Sequence, residues 1–297
     1  MTPRKMALWA LVAAALAAVA GLLLWLQKPA EPARPLAKLH AADLTRIELD
    51  CNNAHVTLEK AAGAWRLAAP VQDDADDSAA SALSQSLRSL ALGSEVSRDP
   101  SGYADYGVDE AAAARVRVYS RTSAAPLLDG YFGKPAVGDS VYFRPSREAA
   151  VYLAEGVKPS APRQSVDDLR SKAVLSISVG DLTSLKFAGR GGFTLASSSG
   201  SWQASGRKLS ADQAAEIVLA ATSLRFTGFA PAGTPDGKAG FDKPAVDLTA
   251  GGAQRSERVL IGREEAGRRY ARAERGTVGF VSKSDADGLL KLLKQAK

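Results

Sequence analysis

The stretch of the sequence with the clearest chemical potential is a run of carboxylates, Asp73-Asp74-Ala75-Asp76-Asp77. Carboxylate oxygens are preferred ligands of Ca²⁺, and acidic residues spaced this closely could supply them. The run lacks the glycine and the distal glutamate of an EF-hand loop, and a helical pattern begins directly after it at Ser78. Because acidic side chains complement the free N–H groups at a helix start, we predict capping and solvation here, not a metal site.

Other residue types that act in catalysis are sparse. Gly189-Arg190-Gly191-Gly192 is glycine-rich like a phosphate loop, but it joins two predicted strands and lacks the Lys-Ser/Thr ending, so we predict a hairpin turn. His40 and His55 have no second histidine or Ser/Asp motif beside them, and Cys51 is the single cysteine. No Gly-x-Ser-x-Gly elbow or Ser-x-x-Lys motif occurs. We therefore predict no catalytic residue, no metal ligand and no cofactor.

Basic side chains are concentrated late in the chain, where glutamates interleave with them. We interpret this region as a solvated strand face, and the alternative is a docking surface for anionic lipid headgroups or an acidic partner. Without Arg4 and Lys5, which precede the apolar segment, the formal net charge of +6 falls to +4, and this is too small to indicate a nucleic-acid partner. The arginines of this region, which would form the alternative docking surface, are Arg263, Arg268, Arg269, Arg272 and Arg275.

The elements that must position these residues begin with an apolar segment. Residues 6–26 carry no charge, and a helix of that length spans a bilayer core of about 30 Å. The segment ends in bulky residues, so we interpret residues 1–27 as an uncleaved signal anchor; a cleavable signal peptide is the alternative. Ala13, Ala17 and Gly21 form a small-residue line on which a second transmembrane helix could pack. We expect a single pass through the cytoplasmic membrane, with the following domains outside.

The rest of the chain has a globular composition, with 46% hydrophobic and 24% charged residues. Its length of 297 residues suggests two domains. Residues 28–39 contain three prolines and form a predicted extended spacer. After the spacer, short segments recur, which predicts an internal duplication with units at residues 40–175 and 176–297. The matched pairs include Leu44–Leu49 with Leu182–Phe187, Trp65 with Trp202, Gly107 with Gly240 and Gly133 with Gly262.

Each predicted unit opens with alternating strands, followed by one amphipathic helix and several more strands. The helices are predicted at residues 78–92, 210–224 and 284–295, and the two matched tryptophans are predicted to anchor the core. The predicted fold class is therefore α+β, with an N-terminal transmembrane helix followed by two tandem duplicated units. In each unit a covering helix packs on a mainly antiparallel sheet.

Several of these motifs together resemble the bacterial family known as domain of unknown function 4340. The resemblance rests on Leu44–Leu49, on Trp65-x-Leu67 running to Pro70, on Tyr106-Gly107-Val108-Asp109, on Val151-Tyr152-Leu153 and on Asp168-Leu169-Arg170. It implies an N-terminally anchored envelope protein, often encoded beside ABC-type transport systems similar to those named for gliding motility. It implies no activity, cofactor or active site.

We therefore expect a non-catalytic, single-pass envelope protein whose domains act as an extracytoplasmic binding or scaffolding module. The expected partners are the membrane and a membrane protein of an ABC-type transport complex. Two alternatives stay open at this point. One is a periplasmic receptor for a small envelope ligand, such as a glycan or lipid fragment, and the other is a hydrolase.

Overall fold

A computed structural model describes residues 33–36, 39, 43–189, 192–198, 201–205 and 209–296. Within these ranges the chain forms eighteen strands. In chain order they are β1 Arg34–Pro35, β2 Leu44–Cys51, β3 Ala54–Ala61, β4 Ala64–Ala69, β5 Asp73–Asp74, β6 Ala91–Ser97, β7 Ala114–Ser120, β8 Ser123–Pro135, β9 Val141–Pro145, β10 Val151–Glu155, β11 Leu182–Phe187, β12 Phe193–Ser198, β13 Ser201–Ser205, β14 Phe226–Phe229, β15 Val246–Gly252, β16 Ser256–Glu265, β17 Arg268–Arg272 and β18 Val278–Ser282.

The helices are fewer and mostly short. They are α1 Asp77–Arg88, α2 Tyr103–Tyr106, α3 Val166–Leu169, α4 Ala211–Thr222, α5 Asp236–Ala239 and α6 Lys283–Gln295. Single turns of 3₁₀ helix lie at Pro100–Gly102 and Ala161–Arg163. Contacts divide the chain into two compact units. Unit 1 contains the described residues up to His55 together with Ala82–Gln164, and unit 2 contains Val56–Ser81 together with Ser165–Lys297.

In unit 1 the strands pair in the order β1-β6-β10-β9-β8-β7-β2, and every pairing is antiparallel. The alternation of β7 explains the core: Ala114, Val116 and Val118 are buried, while the residues between them are half-buried. Phe132 of β8 packs on Phe143 of β9 with their ring centroids 4.7 Å apart. One face of this sheet therefore supplies a core, and Val108, Ala113, Tyr131 and Val151 form a second buried apolar cluster of the unit.

In unit 2 the strands β13-β12-β11-β15-β16-β17-β18-β14 form a second antiparallel sheet, and β3, β4 and β5 form an antiparallel meander. Six strands in each unit pair in the same order. The series β6-β10-β9-β8-β7-β2 of unit 1 corresponds to β14-β18-β17-β16-β15-β11 of unit 2. Trp65 of β4 is buried, and Trp202 of β13 packs partly buried against the unit 2 core, as core anchors would.

Two helices complete the core of unit 2. Helix α4 begins with a capping box, in which Ser210 and Gln213 each bond the other's backbone N–H, and it buries Ile217 and Val218. Helix α6 buries Leu289 and contacts α4. The predicted helices at 210–224 and 284–295 are thus close to the observed ones, whereas α1 ends at Arg88 and strand β6 begins soon after it.

The predicted fold class of α+β with an N-terminal transmembrane helix is wrong. The described residues form mostly antiparallel strands in two sheets, and only three of the described helices are longer than four residues. Most of the buried apolar residues lie on strands, so strand side chains supply most of the core. The structure gives no support for a membrane-spanning helix, since none of the described helices has the necessary length and apolar character. The predicted anchor at 1–27, with Ala13, Ala17 and Gly21, lies outside the described residues.

Candidate functional site

The acidic run divides between a helix start and a buried position. Asp76 Oδ1 accepts a hydrogen bond from Ala79 N at 2.9 Å, as the capping prediction requires. Asp74 pairs with Arg66 at 3.2 Å. Asp73, however, is only 3% exposed, so the prediction that the whole run faces solvent is wrong for this residue. Within the described ranges, no group of three or more acidic, histidine or cysteine residues could hold a metal ion.

Asp73 lies at the centre of a buried ionic cluster within unit 2. Its Oδ2 accepts hydrogen bonds from Arg170 Nε and from Thr277 Oγ1, each at 2.6 Å. Its Oδ1 accepts hydrogen bonds from Arg275 Nε at 2.7 Å and from Asp74 N at 2.8 Å. The two arginine side chains are each 13% exposed. One carboxylate therefore satisfies two nearly buried guanidinium groups and a buried hydroxyl.

The same cluster ties three distant segments together. Arg170 follows α3 and stacks on Phe229 of β14, with its guanidinium carbon 4.0 Å from the ring centroid. Arg275 lies in the β17–β18 turn and donates from Nη2 to Ser171 O at 3.2 Å and to Ala173 O at 2.8 Å. Strand β5 contributes Asp73 itself. This geometry is structural, because each of the three charged groups is already paired with an oppositely charged member of the cluster.

The pKa of Asp73 reflects this engagement. Burial alone would raise the pKa of this carboxyl, and burial is the largest single influence. The hydrogen bonds from Thr277 and Arg170, the charge of Arg275 and the Asp74 N–H together outweigh burial, so the pKa of Asp73 lies below its usual range. The carboxylate is therefore held in its charged form.

The structure places the five arginines of the alternative docking surface in different surroundings. Four of them have partners inside unit 2: Arg275 belongs to the Asp73 cluster, Arg272 pairs with Asp236, Arg269 pairs with Asp287 at 2.8 Å, and Arg268 lies 4.1 Å from the Phe280 ring centroid. Neighbouring strand residues point to opposite faces, so consecutive arginines of β17 cannot share one surface. Arg263 is exposed and lines a cleft.

Unit 1 carries a separate set of cross-strand ion pairs on its sheet. Arg117 of β7 pairs with Glu48 at 2.6 Å and with Asp50 at 2.9 Å, both on β2. Arg115 pairs with Asp129 of β8 at 2.9 Å. Such pairs on adjacent strands stabilise the sheet face on which they lie. His55 Nδ1 lies 2.5 Å from Asp50 Oδ1, and Arg163 Nη1 lies 3.7 Å from Cys51 Sγ. His40 lies outside the described residues.

Arg144 of β9 is a buried cation that sequence reasoning missed. Its guanidinium carbon lies 4.4 Å from the Tyr103 ring centroid and 4.2 Å from that of Tyr131. Its Nε and Nη2 both donate to Val108 O at 3.2 Å. Strand alternation offered no signal, since Arg144 follows a buried phenylalanine and is expected to point outward.

Clefts open to solvent occur within unit 2. One of 660 Å³ is lined by Trp65, Arg66, Arg225 and Arg255 among other residues. Arg66 pairs with Asp74 and Arg255 pairs with Glu257 at 3.3 Å, whereas Arg225 donates to the backbone oxygens of Thr222 and Leu224.

The predicted hairpin turn near Gly192 lies between β11 and β12. Gly192 N donates to Gly189 O at 2.9 Å there, while residues 190 and 191 are outside the described ranges.

The comparison with known families agrees with the motifs quoted above. A family model described as "Domain of unknown function (DUF4340)" matches residues 65–244, which is more than half of the chain. No curated protein and no solved structure matches the chain. The match covers the buried tryptophan of β4, the Asp73 segment, all of unit 1 from α1 onward and the first half of the unit 2 sheet. The chain therefore belongs to the DUF4340 family.

Proposed function

We propose that this protein is a non-catalytic binding and scaffolding module on the outer side of the cytoplasmic membrane, accessory to an ABC-type transport complex. The location and the transporter follow from the family resemblance and from the uncharged residues 6–26. The proposal of binding rather than catalysis is supported chiefly by one observation. Several carboxylates that the fold places against arginines are held in their charged forms.

The lowered pKa values of two further carboxyl groups support a binding role. Asp129 is partly buried, yet the hydrogen bonds from Arg115 and Ser146 and the nearby arginine charges keep its pKa below the usual range. The hydrogen bonds from Arg258 lower the pKa of Asp247 in the same way. A carboxyl that acts as a general acid needs the opposite displacement, toward the working pH. Carboxylates paired in this way stabilise a rigid scaffold and are not poised to act as general acids.

The proposal is tested by co-purification. The full chain, tagged at its C-terminus, is expressed at its native level and extracted from membranes in a mild detergent that preserves other ABC-type transporters. We expect subunits of one transport system to co-elute in a fixed ratio to the bait. A chain tagged at the N-terminus controls for masking of an interface. Recovery of both tagged chains alone, while a reference transporter stays intact, would overturn the proposal.

A second candidate, a receptor for a small envelope ligand, is favoured by the 660 Å³ cleft of unit 2. Its volume lies within the range of ligand sites, and it combines an aromatic side chain with three guanidinium groups. Thermal unfolding of the full chain with glycan and lipid fragments tests this candidate. A ligand-dependent rise in Tm that disappears in Arg225→Ala supports it, because Arg225 is the lining arginine without a carboxylate partner among the described residues.

A further inference from the structure

A recurring arrangement brings a cation to the end of a short helix in unit 1. Helix α2 ends at Tyr106 and is capped by Gly107, which has a φ of 66°. On strand β8, a Cβ added to Gly133 would lie 2.2 Å from a carbonyl oxygen of that helix, so only glycine allows this approach. The next residue, Lys134, donates from Nζ to Ala104 O at 3.1 Å and to Asp105 O at 2.9 Å. The lysine therefore satisfies the free carbonyl end of α2.

Unit 2 repeats the backbone arrangement but not the capping bond. Helix α5 ends at Ala239 and is capped by Gly240, with a φ of 77°, and a Cβ on Gly262 of β16 would lie 2.0 Å from the carbonyl oxygen of Ala239. The residue that corresponds to Lys134 is Arg263. Its side chain is exposed and makes no hydrogen bond or ion pair with any described residue. In unit 2, therefore, the equivalent cation does not cap the helix.

Arg263 lines a solvent-open cleft of 410 Å³. Lys243, also exposed and without a hydrogen bond or ion pair to the described part of the chain, lines the same cleft. Arg269 is the third cation, and it is already paired with Asp287 at 2.8 Å. Asp242 is the one carboxylate of the lining. The cleft therefore has an excess of positive charge, and two of its cations are available to a ligand.

We propose that this cleft binds the phosphate group of a small ligand, with Arg263 and Lys243 as its two cationic contacts. An arginine fork and a lysine ammonium are the usual protein partners of phosphate oxygens. A phosphate group with one or two negative charges can contact both available cations, and a cleft of this volume admits a ligand the size of a lipid headgroup or a phosphorylated sugar. Asp242 is placed to accept a hydrogen bond from a hydroxyl group of such a ligand.

The proposal goes beyond the proposed function and does not require a transport complex. It is tested with the purified full chain and two probes. One probe is glucose 6-phosphate, measured by calorimetric titration, and the other is a vesicle of phosphatidylglycerol and phosphatidylcholine, measured by co-sedimentation against vesicles of phosphatidylcholine alone. Binding of the first probe identifies a soluble ligand, and binding of the second alone identifies a headgroup as the source of the phosphate.

The decisive variant is the double substitution Arg263→Ala and Lys243→Ala. Neither side chain makes an internal bond to a described residue, so Tm should stay unchanged while affinity for the bound probe falls about tenfold or more per lost contact. Lys134→Ala is the matched control, because it removes the equivalent charge from unit 1 and should leave probe binding unchanged. Lys291→Ala, an exposed cation of α6, replaces it if Lys134→Ala fails to fold.

Binding of neither probe overturns the proposal. Binding that weakens equally in the control and in the double variant also overturns it, since that result indicates non-specific attraction to a basic chain. These outcomes are separable from those of the co-purification, because they concern the purified chain alone. Saturable binding that is lost only in the double variant supports the proposal, whichever probe shows it.

Discussion

A carboxylate buried between two guanidinium groups is stable only while all three groups are charged and in contact. Asp73 meets this condition through Arg170 and Arg275, and both arginines lose their main acceptor if it is removed. Breaking a buried ion pair by removing one partner costs more than the pair contributes, because an uncompensated charge remains. At the scale of the residue, this cluster is the feature whose substitution we expect to be most damaging.

Asp73→Asn should lower the free energy of unfolding by about 3 kcal/mol at pH 7, because both guanidinium groups keep their burial but lose the negative charge. Urea-induced unfolding followed by circular dichroism measures this loss. Asp77→Asn is the matched control, since Asp77 is exposed at the first turn of α1 and should cost less than about 1 kcal/mol. Equal effects of the two substitutions would contradict a stabilising role of the buried Asp73 cluster.

The difference in stability between the wild type and Asp73→Asn should depend on pH in a defined way. The pKa of Asp73 is lowered in the folded state, so its stabilisation is fully present above the unfolded value of about 3.9 and is lost as the pH falls through the folded value. The difference in unfolding free energy between the wild type and Asp73→Asn should therefore be constant from pH 7 to about pH 5 and shrink below about pH 4. Urea titrations at several pH values test this, and a difference that grows in acid would refute it.

Arg144→Lys should destabilise unit 1 although it preserves the charge. The planar guanidinium lies between the rings of Tyr103 and Tyr131 and donates twice to Val108 O, and a lysine ammonium reproduces neither the stacking nor the paired bond. We expect a loss of about 1–2 kcal/mol. Thermal unfolding of Arg144→Lys beside Arg147→Lys, an exposed arginine of the following turn, measures it. A Tm equal to that of Arg147→Lys would show that the ring contacts contribute nothing.

Neither of these buried charges could be predicted from the sequence. The partners of Asp73 lie 97 and 202 residues away along the chain, and no local pattern reports such pairing. The acidic run instead favours a helix start, which is correct for Asp76 and Asp77 but not for Asp73. For the same reason, a strand sequence does not show that aromatic rings cover the face on which Arg144 lies.

At the scale of the element, the two units use glycine to bring a strand against the end of a short helix. The turns were predictable from glycine spacing, and so were most strands, because their apolar residues alternate. The predicted fold class was wrong, because helical periodicity in three segments indicates helices but does not show how much of each core those helices supply. Helix α1 ends earlier than its apolar pattern, and Leu90 and Leu92, which follow it, belong to a turn and to strand β6.

Gly262→Ala should cost at least about 2 kcal/mol, because its Cβ would lie 2.0 Å from Ala239 O and the backbone of β16 or α5 must move. Gly288→Ala is the matched control inside helix α6. A Cβ there meets nothing within 4 Å, so the substitution should raise stability by about 0.5–1 kcal/mol. Opposite signs of the two changes in urea midpoint are expected. A neutral Gly262→Ala would show that β16 does not need this close approach.

At the scale of the whole molecule, the sequence identifies the family and a repeated strand pattern, and it leaves the partner unnamed. The family match extends from β4 to just before β15 and carries no activity with it. What the structure adds is a pair of β-rich units whose central charges are internally paired, beside clefts in unit 2 that remain open. This distribution of charge favours a binding role, since the paired groups fix the scaffold and the open ones can meet a ligand.

The central claim, that the protein binds a transport complex, is tested most directly by cross-linking in intact cells followed by mass spectrometry. We expect lysines of the chain to cross-link to subunits of one ABC-type transporter, and these links to vanish when that transporter is deleted. Links between the subunits of the transporter itself provide the internal control for efficiency. If those control links form while the chain cross-links only within itself, the account is contradicted.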